Sequence, residues 1–168
     1  MPFNLLKNYN ELLELTSFNV PQRTASLRGV FNRDIAENES FQFQGKQINP
    51  TSQDGEEPME TLFRHLTTVI EDKKTNKRVF EMFRSERLHW IRHHIEERKQ
   101  DNMFVFSVKE SGAIRTYIYD KDEKYVIILE WRKNRDDYYL LTAYHLRGKD
   151  EKRDKIMKKY KRRLENIY

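Results

Sequence analysis

The stretch MFVFSVKESGAIRTYIYDKDEKYVIILEWRKNRDDYYLLTAYHL, residues 103 to 146, decides the fold. Four runs in it, MFVFSV, AIRTYIYD, KYVIILEWR and DYYLLTAYHL, are rich in β-branched and aromatic residues. Ser-Gly, Asp-Lys-Asp and Asn-Arg-Asp-Asp separate them. Such runs suit the pleated surface of a strand, and turn formers end them. Links this short join antiparallel neighbours, so the reading is a four-stranded meander. Successive side chains of a strand point to opposite faces. Ile114, Thr116 and Ile118 therefore share the face suited to the core, and Arg115, Tyr117 and Tyr119 share the other. In the last run Tyr138, Leu140, Thr142 and Tyr144 fall on one face, and Tyr139, Leu141, Ala143 and His145 on the opposite one. Glu130 and Arg132 lie on the face of Val126 and Ile128, where the carboxylate either holds Arg132 or acts as a base.

Upstream the apolar period lengthens. Met59, Leu62, Phe63, Leu66, Val69 and Ile70 recur at helical spacing, so METLFRHLTTVIED, residues 59 to 72, is predicted to be a helix. A long helix follows around residues 78 to 98, its apolar stripe formed by Phe80, Phe83, Trp90, Ile91 and Ile95. Arg87 and His94 fall inside that stripe, and the guanidinium is the feature to explain. Nearer the start, ELLELTSFNV and TASLRGVFNRDI read as short helical or mixed elements, the second with Thr24 or Ser26 as N-cap. FQFQGKQI, residues 41 to 48, reads as a strand, and NPTSQDGEEP, residues 49 to 58, as a linker. At the other end Ile156, Tyr160 and Leu164 are spaced i, i+4, i+8 among ten Lys/Arg counted from Arg147 onward, which predicts a basic helix, docked by a narrow apolar edge or projecting.

Together these elements predict an α+β single domain: an antiparallel four- or five-stranded sheet covered by helices on one face, its other face open to a ligand. Residues 1–57 form an acidic N-terminal extension, 58–147 the core and 148–168 the basic helix. A length of 168 residues suffices for one buried core. With ten Phe and nine Tyr against 35% charged residues, the chain is read as folded. The absence of cysteine excludes disulfides and thiol chemistry. No apolar run reaches the roughly 20 residues of a membrane span, and the start lacks the basic-then-apolar order of a signal peptide. A cytoplasmic location and no membrane partner are therefore expected. Residues 1 to 60 hold five Lys/Arg and nine Asp/Glu, a sum of −4, which leaves +9 of the total +5 charge for the remainder. That basic part is where a polyanion would bind.

Arg115, Tyr117, Thr142 and Tyr144 on one sheet face, with Arg87 reaching from a covering helix, would make a site of cationic and hydroxyl donors. Arginine grips phosphate through two parallel charge-assisted hydrogen bonds, and tyrosines stack on unpaired bases. The plainer alternative is that Arg87 pairs with Glu81 or Glu130 and the tyrosines only pack. Among the histidines, His65 sits at the edge of an apolar helix face, His89 and His93 on a polar side, His94 on the stripe, and His145 opposite Thr142 unless a bulge intervenes. No metal-ligand spacing, phosphate loop, dinucleotide fingerprint or nucleophile elbow is present, so neither a cofactor nor a metal is expected.

The order LFRHLTT, FEMFRSERLHWIRHHI, FVFSV, IRTYIYD, YVIILEW and YYLLTAYHL resembles the phage-associated nucleases of the Barnase, EndoU, Colicin and RelE-like group. There an RxxRxxWI-type helix precedes a strand with an Arg, a Val/Ile/Leu strand and a final YxLLTAY-like strand. The resemblance covers residues 61 to 146 and leaves the first 60 residues and the basic tail unmatched. It implies a metal-independent endoribonuclease of toxin or phage–host conflict type, acting on RNA (tRNA or mRNA), with a protein antitoxin as a natural partner. The same resemblance carries onto this chain Arg84 and Arg87, Arg115, Thr142 with Tyr144 close by, and His65; joined with the face reading, His65, Arg87, Arg115, Thr142 and Tyr144 are expected to be catalytic and Arg84, Tyr117 and His145 to bind substrate, with His145 or His94 as reserve for proton transfer. Two other functions fit the same composition: a non-catalytic RNA/DNA-binding module using the basic tail and the tyrosines, or a protein-interaction factor such as an inhibitor or regulator.

Overall fold

The computed structural model describes residues 2–51 and 55–168. The first α-helix, α1 (Val20–Phe31), starts earlier than either expected cap. Asn19 accepts a hydrogen bond from the Gln22 amide, and the Gln22 side chain accepts one from the Asn19 amide. This reciprocal box outcompetes Thr24 and Ser26, which lie inside the helix. The single strand expected at residues 41 to 48 is a hairpin of β1 (Gln42–Phe43) and β2 (Lys46–Pro50). Gln44 and Gly45 both have positive φ, as a tight two-residue turn requires. Of the expected linker, residues 52–54 lie outside the described residues, while Asn49 and Pro50 belong to β2.

The helix expected at residues 59 to 72 ends halfway. Helix α2 (Pro58–Thr67), capped by Glu57, passes directly into β3 (Thr68–Asp72), which pairs with β4 (Lys77–Phe80). Val69, Ile70 and Val79 prefer extended backbone, and Asn76, at positive φ, closes the turn between the strands. The long helix around 78 to 98 is likewise replaced by β4, α3 (Met82–Ser85) and α4 (Trp90–Ile95). Glu81 is extended and caps α3 by accepting from the Phe83 and Arg84 amides. Arg87 lies in the turns between the two helices, where its Nη1 donates to the Phe83 carbonyl at 2.7 Å and to Glu86 at 3.0 Å. Its guanidinium centre is 5.2 Å from the Trp90 ring. The arginine inside the apolar stripe thus satisfies a carbonyl that the broken helix leaves unpaired.

The meander forms as read: β5 (Met103–Glu110), β6 (Ala113–Asp120), β7 (Tyr125–Arg132) and β8 (Asp137–His145) are successive antiparallel neighbours. One feature enlarges it into a mixed sheet of six strands, in the order β1-β2-β8-β7-β6-β5. The early hairpin joins it, and β2 runs parallel to β8. A bulge then shifts the register: Leu129 faces Leu140 but Ile128 faces Thr142, leaving Leu141 as the extra residue. The alternation reverses there, so Ala143 joins the core face of Tyr138 and Leu140, while Tyr144 packs on the opposite side.

On one face Ile118, Ile127, Leu129 and Leu140 pack against Val30 and Phe31 of α1, Leu62 and Leu66 of α2, and Trp90 and Ile91 of α4. Leu13, Leu15 and Ile48 enter the same core, making the chain an α+β single domain. The second face, expected to be open, is also covered. The basic segment forms α5 (Gly148–Lys152) and α6 (Lys155–Lys161), and Ile156, fully buried, leads Met157 and Tyr160 onto Phe106, Tyr117, Tyr119 and Val126. Full burial of one such isoleucine contributes about 1.5–3 kcal/mol. Beyond α6 the Leu164 amide donates to the Ser107 carbonyl at 2.7 Å, and the Tyr168 amide to the Ser107 hydroxyl at 3.0 Å. Among the described residues no helix is long and apolar enough to cross a membrane.

Candidate active site

The last turn of α2 exposes carbonyl oxygens at the negative end of the helix, and two arginines converge on it. From α3, Arg84 donates through Nη1 to the His65 carbonyl at 2.8 Å and the Thr68 carbonyl at 3.1 Å. From β4, Arg78 donates through Nε to the Thr68 hydroxyl at 2.8 Å and through Nη2 to the Thr68 carbonyl at 3.0 Å. Beside them Glu56, Arg64, His65, Ile70, Asn76 and Arg78 line a cleft of about 680 Å³. Glu56 is engaged, accepting from the Thr61 hydroxyl at 2.7 Å and Arg64 at 2.6 Å. Arg78 has no carboxylate within ion-pair distance among the described residues, nor does the His65 ring have a hydrogen-bond partner among them.

His65 is half-buried, and that burial, followed by the charges of Arg78 and Arg64, pushes its imidazole below the ordinary histidine value. A neutral ring at neutral pH is the state in which it can accept a proton. Burial also lowers Arg84, whose Nε is buried with no hydrogen-bond partner among the described residues, 3.9 Å from Glu81, and whose guanidinium centre is 5.8 Å from the Tyr144 ring. His65, Arg84 and Tyr144 are thus brought into one neighbourhood. At the end of β8, His145 donates from Nδ1 to the Glu123 carbonyl at 3.1 Å, and burial, then Arg87, lowers its pKa.

The sheet-face residues stand apart. Arg115 is held between Glu110 at 3.3 Å and Glu130 at 3.6 Å. Tyr117, expected to stack on a base, is buried with its ring on Phe106 at 5.2 Å and its hydroxyl donating to Glu110. Glu110 also receives Lys159 from α6. The expected Glu130–Arg132 pair does not form, because Arg132 forks onto Asp137 instead. Thr142 lies two strands and two residues from Arg115, about 12 Å at ordinary strand spacings. Arg115, Tyr117 and Thr142 therefore do not join the His65 neighbourhood.

His94, outside the cleft, is a structural anchor. His94 is buried, with Nδ1 2.7 Å from the Trp90 carbonyl and Nε2 2.9 Å from Asp120, which also accepts from Tyr9 and Lys99. Arg78 and Arg64 are the residues that sequence reasoning missed. For Arg78 the signal was KKTNKR, residues 73 to 78, a turn between the β-branched Val69–Ile70 and Val79 that a continuous helix obscured. Among the described residues no three His, Asp or Glu side chains converge as ligands for a metal ion. Compared with protein-family models, with curated proteins and with solved structures, the chain matches none.

Proposed function

We propose that this protein is a metal-independent endoribonuclease, of the kind used as a toxin or in conflict between phage and host, and that it works at the His65 cleft. The observation that carries the reading is a half-buried imidazole, without a partner among the described residues, beside a guanidinium that no carboxylate neutralises there. In this reading His65 takes the proton from an RNA 2′-hydroxyl. The freed oxygen bonds to the adjacent phosphorus, and the bond to the 5′-oxygen breaks, that oxygen taking a proton from water. One product ends in a 2′,3′-cyclic phosphate, the other in a 5′-hydroxyl. Arg78 and Arg64 face the charge that grows on the phosphate oxygens, where loss of one donor typically costs ~10²- to 10³-fold in rate. Arg84, tied to the backbone carbonyl of His65 itself, positions the base.

The exposed cations of the C-terminal segment, Lys155, Lys158, Lys161, Arg162 and Arg163, support a second reading, a binder of nucleic acid without chemistry. Labelled RNA incubated with the protein in EDTA, beside an Arg78→Ala control, separates the two. Cyclic-phosphate ends that vanish with the substitution fit the nuclease. Uncut RNA that shifts on a gel, and less so at high salt, fits the binder.

A further inference from the structure

A smaller hollow, of about 200 Å³, adjoins the His65 cleft, and Arg64 lines both. Its walls are apolar: Leu27 from α1, Phe63 from α2 and Phe80 from the end of β4. Of the polar groups around it, the Thr67 hydroxyl donates to the Phe63 carbonyl and the Thr68 hydroxyl to the Arg64 carbonyl, so both are engaged. Thr24 and Arg23 also line it, and their side chains make no hydrogen bond or ion pair among the described residues.

Arg23 adds the specific element. It is partly exposed, and its guanidinium carbon lies 3.5 Å from the centre of the Phe80 ring. At that separation the group lies flat on the ring, because standing upright it would push a nitrogen into the carbons below. One face of the cation is therefore taken by Phe80, and the other face is open. Arg28, later in the same helix, makes the contrast: it lies 3.9 Å over the Phe63 ring but is paired with Glu60 at 2.7 Å, and it does not line the hollow. We propose that this hollow is a base subsite, in which one unpaired nucleobase of an RNA strand stacks on the open face of Arg23, beside Leu27 and Phe63, with a neighbouring phosphate at Arg64. The subsite deepens the nuclease reading and rests on it, since it requires RNA to lie across Arg64. A nucleobase is flat, apolar on its faces and polar at its edges, and single-stranded RNA is held by stacking such bases on aromatic rings or guanidinium planes. Phe80 holds the plane in place before the base arrives, which reduces the ordering cost of binding. An aliphatic ligand would use the walls and not the flat cation, and a lone phosphate would use the charge and not the walls.

The test uses 2′-O-methyl RNA, which has no 2′-hydroxyl proton to lose and so binds without being cut. An adenine hexamer and a hexamer of the same backbone without bases, each carrying a fluorophore, are titrated with the full chain and followed by anisotropy. Wild type should bind the adenine strand about fivefold or more tighter than the abasic one, the lower end of what one stacked base contributes. Arg23→Lys keeps the charge and loses the flat surface. It should weaken the adenine strand by about fivefold or more and leave the abasic strand within about twofold, and Arg28→Lys should change neither. Equal weakening of both strands by Arg23→Lys would make Arg23 a phosphate contact, and no weakening of either would leave it without a ligand. Each of these results overturns the proposal, as does equal binding of the two strands by wild type or no saturable binding of the adenine strand. Cleavable RNA assayed in parallel separates the subsite from the reading it rests on. If RNA is cut but Arg23→Lys binds the adenine strand as wild type does, the subsite falls and the nuclease stands. If no RNA is cut but base-dependent binding is lost in Arg23→Lys, the subsite stands and the nuclease falls.

Discussion

Arg78 and Arg115 are both strand arginines with partly buried side chains, yet they stand in opposite surroundings. Arg115 has a carboxylate on either side, and the neighbouring Tyr117 is sealed beneath α6 with Glu110 as the common acceptor. Arg78 spends two donors on the end of α2, has no carboxylate partner among the described residues, and borders open space with His65. Residue type and strand face are the same in kind. What separates an arginine held between carboxylates from one that borders an open cleft is the supply of nearby acceptors and the room beside it, and both depend on tertiary structure.

The largest expected effect is that of His65→Ala. RNA cleavage should fall by about 10²- to 10⁴-fold, the usual contribution of a positioned base, with the melting temperature nearly unchanged because the half-buried ring makes no hydrogen bond among the described residues. Arg78→Ala should cost ~10²- to 10³-fold in cleavage rate, and Arg78→Lys should recover part of that loss; full activity in the alanine variant would remove Arg78 from the mechanism.

At the other arginine the effect should be on stability alone. Burial by itself would raise the Glu110 carboxyl, but Lys159, Tyr117 and Arg115 outweigh it and hold the group below its ordinary value. Glu110→Gln leaves those partners without a charge, and urea unfolding should show a loss of about 1–2 kcal/mol, discounted because Arg115 is a third exposed. Cleavage per folded molecule should not change. A lowered folded pKa stabilises above the unfolded value of about 4.3 and is lost as pH falls through the folded value, so the gap between wild type and variant should close in acid.

The smallest effect is a displacement of the pH profile. The cleaving form needs neutral His65, so the rate should rise with pH and have its midpoint below about 6.5. Burial and the neighbouring arginines set that midpoint, so Arg64→Gln should move it upward toward 6.5. A midpoint that stays in place would assign the titration to another group.

The meander was legible because its strands carry both signals at once, β-branched and aromatic runs and turn formers between them. The helices were legible only in part. Val69 and Ile70 continue the 3.6-residue spacing of α2 by coincidence, and the strand pairing that claims them depends on Arg78 and Val79 across a turn. Leu141 is an ordinary leucine in sequence, and only the register with β7 shows that it is the bulge that turns Tyr144 to the other face. Ile156 and Tyr160 did announce an apolar edge on the basic helix, but what that edge covers is fixed by the path of the chain. Of the expected site, His65 and Arg84 meet because an arginine from α3 caps α2, a contact 19 residues apart that no local pattern encodes.

The most direct measurement is the rate of RNA cleavage in EDTA by His65→Ala and Arg115→Ala, assayed side by side with wild type and normalised to folded protein. The cleft reading expects activity lost in the first and retained in the second. Activity retained in His65→Ala and lost in Arg115→Ala would contradict it and return the chemistry to the sheet face beneath α6.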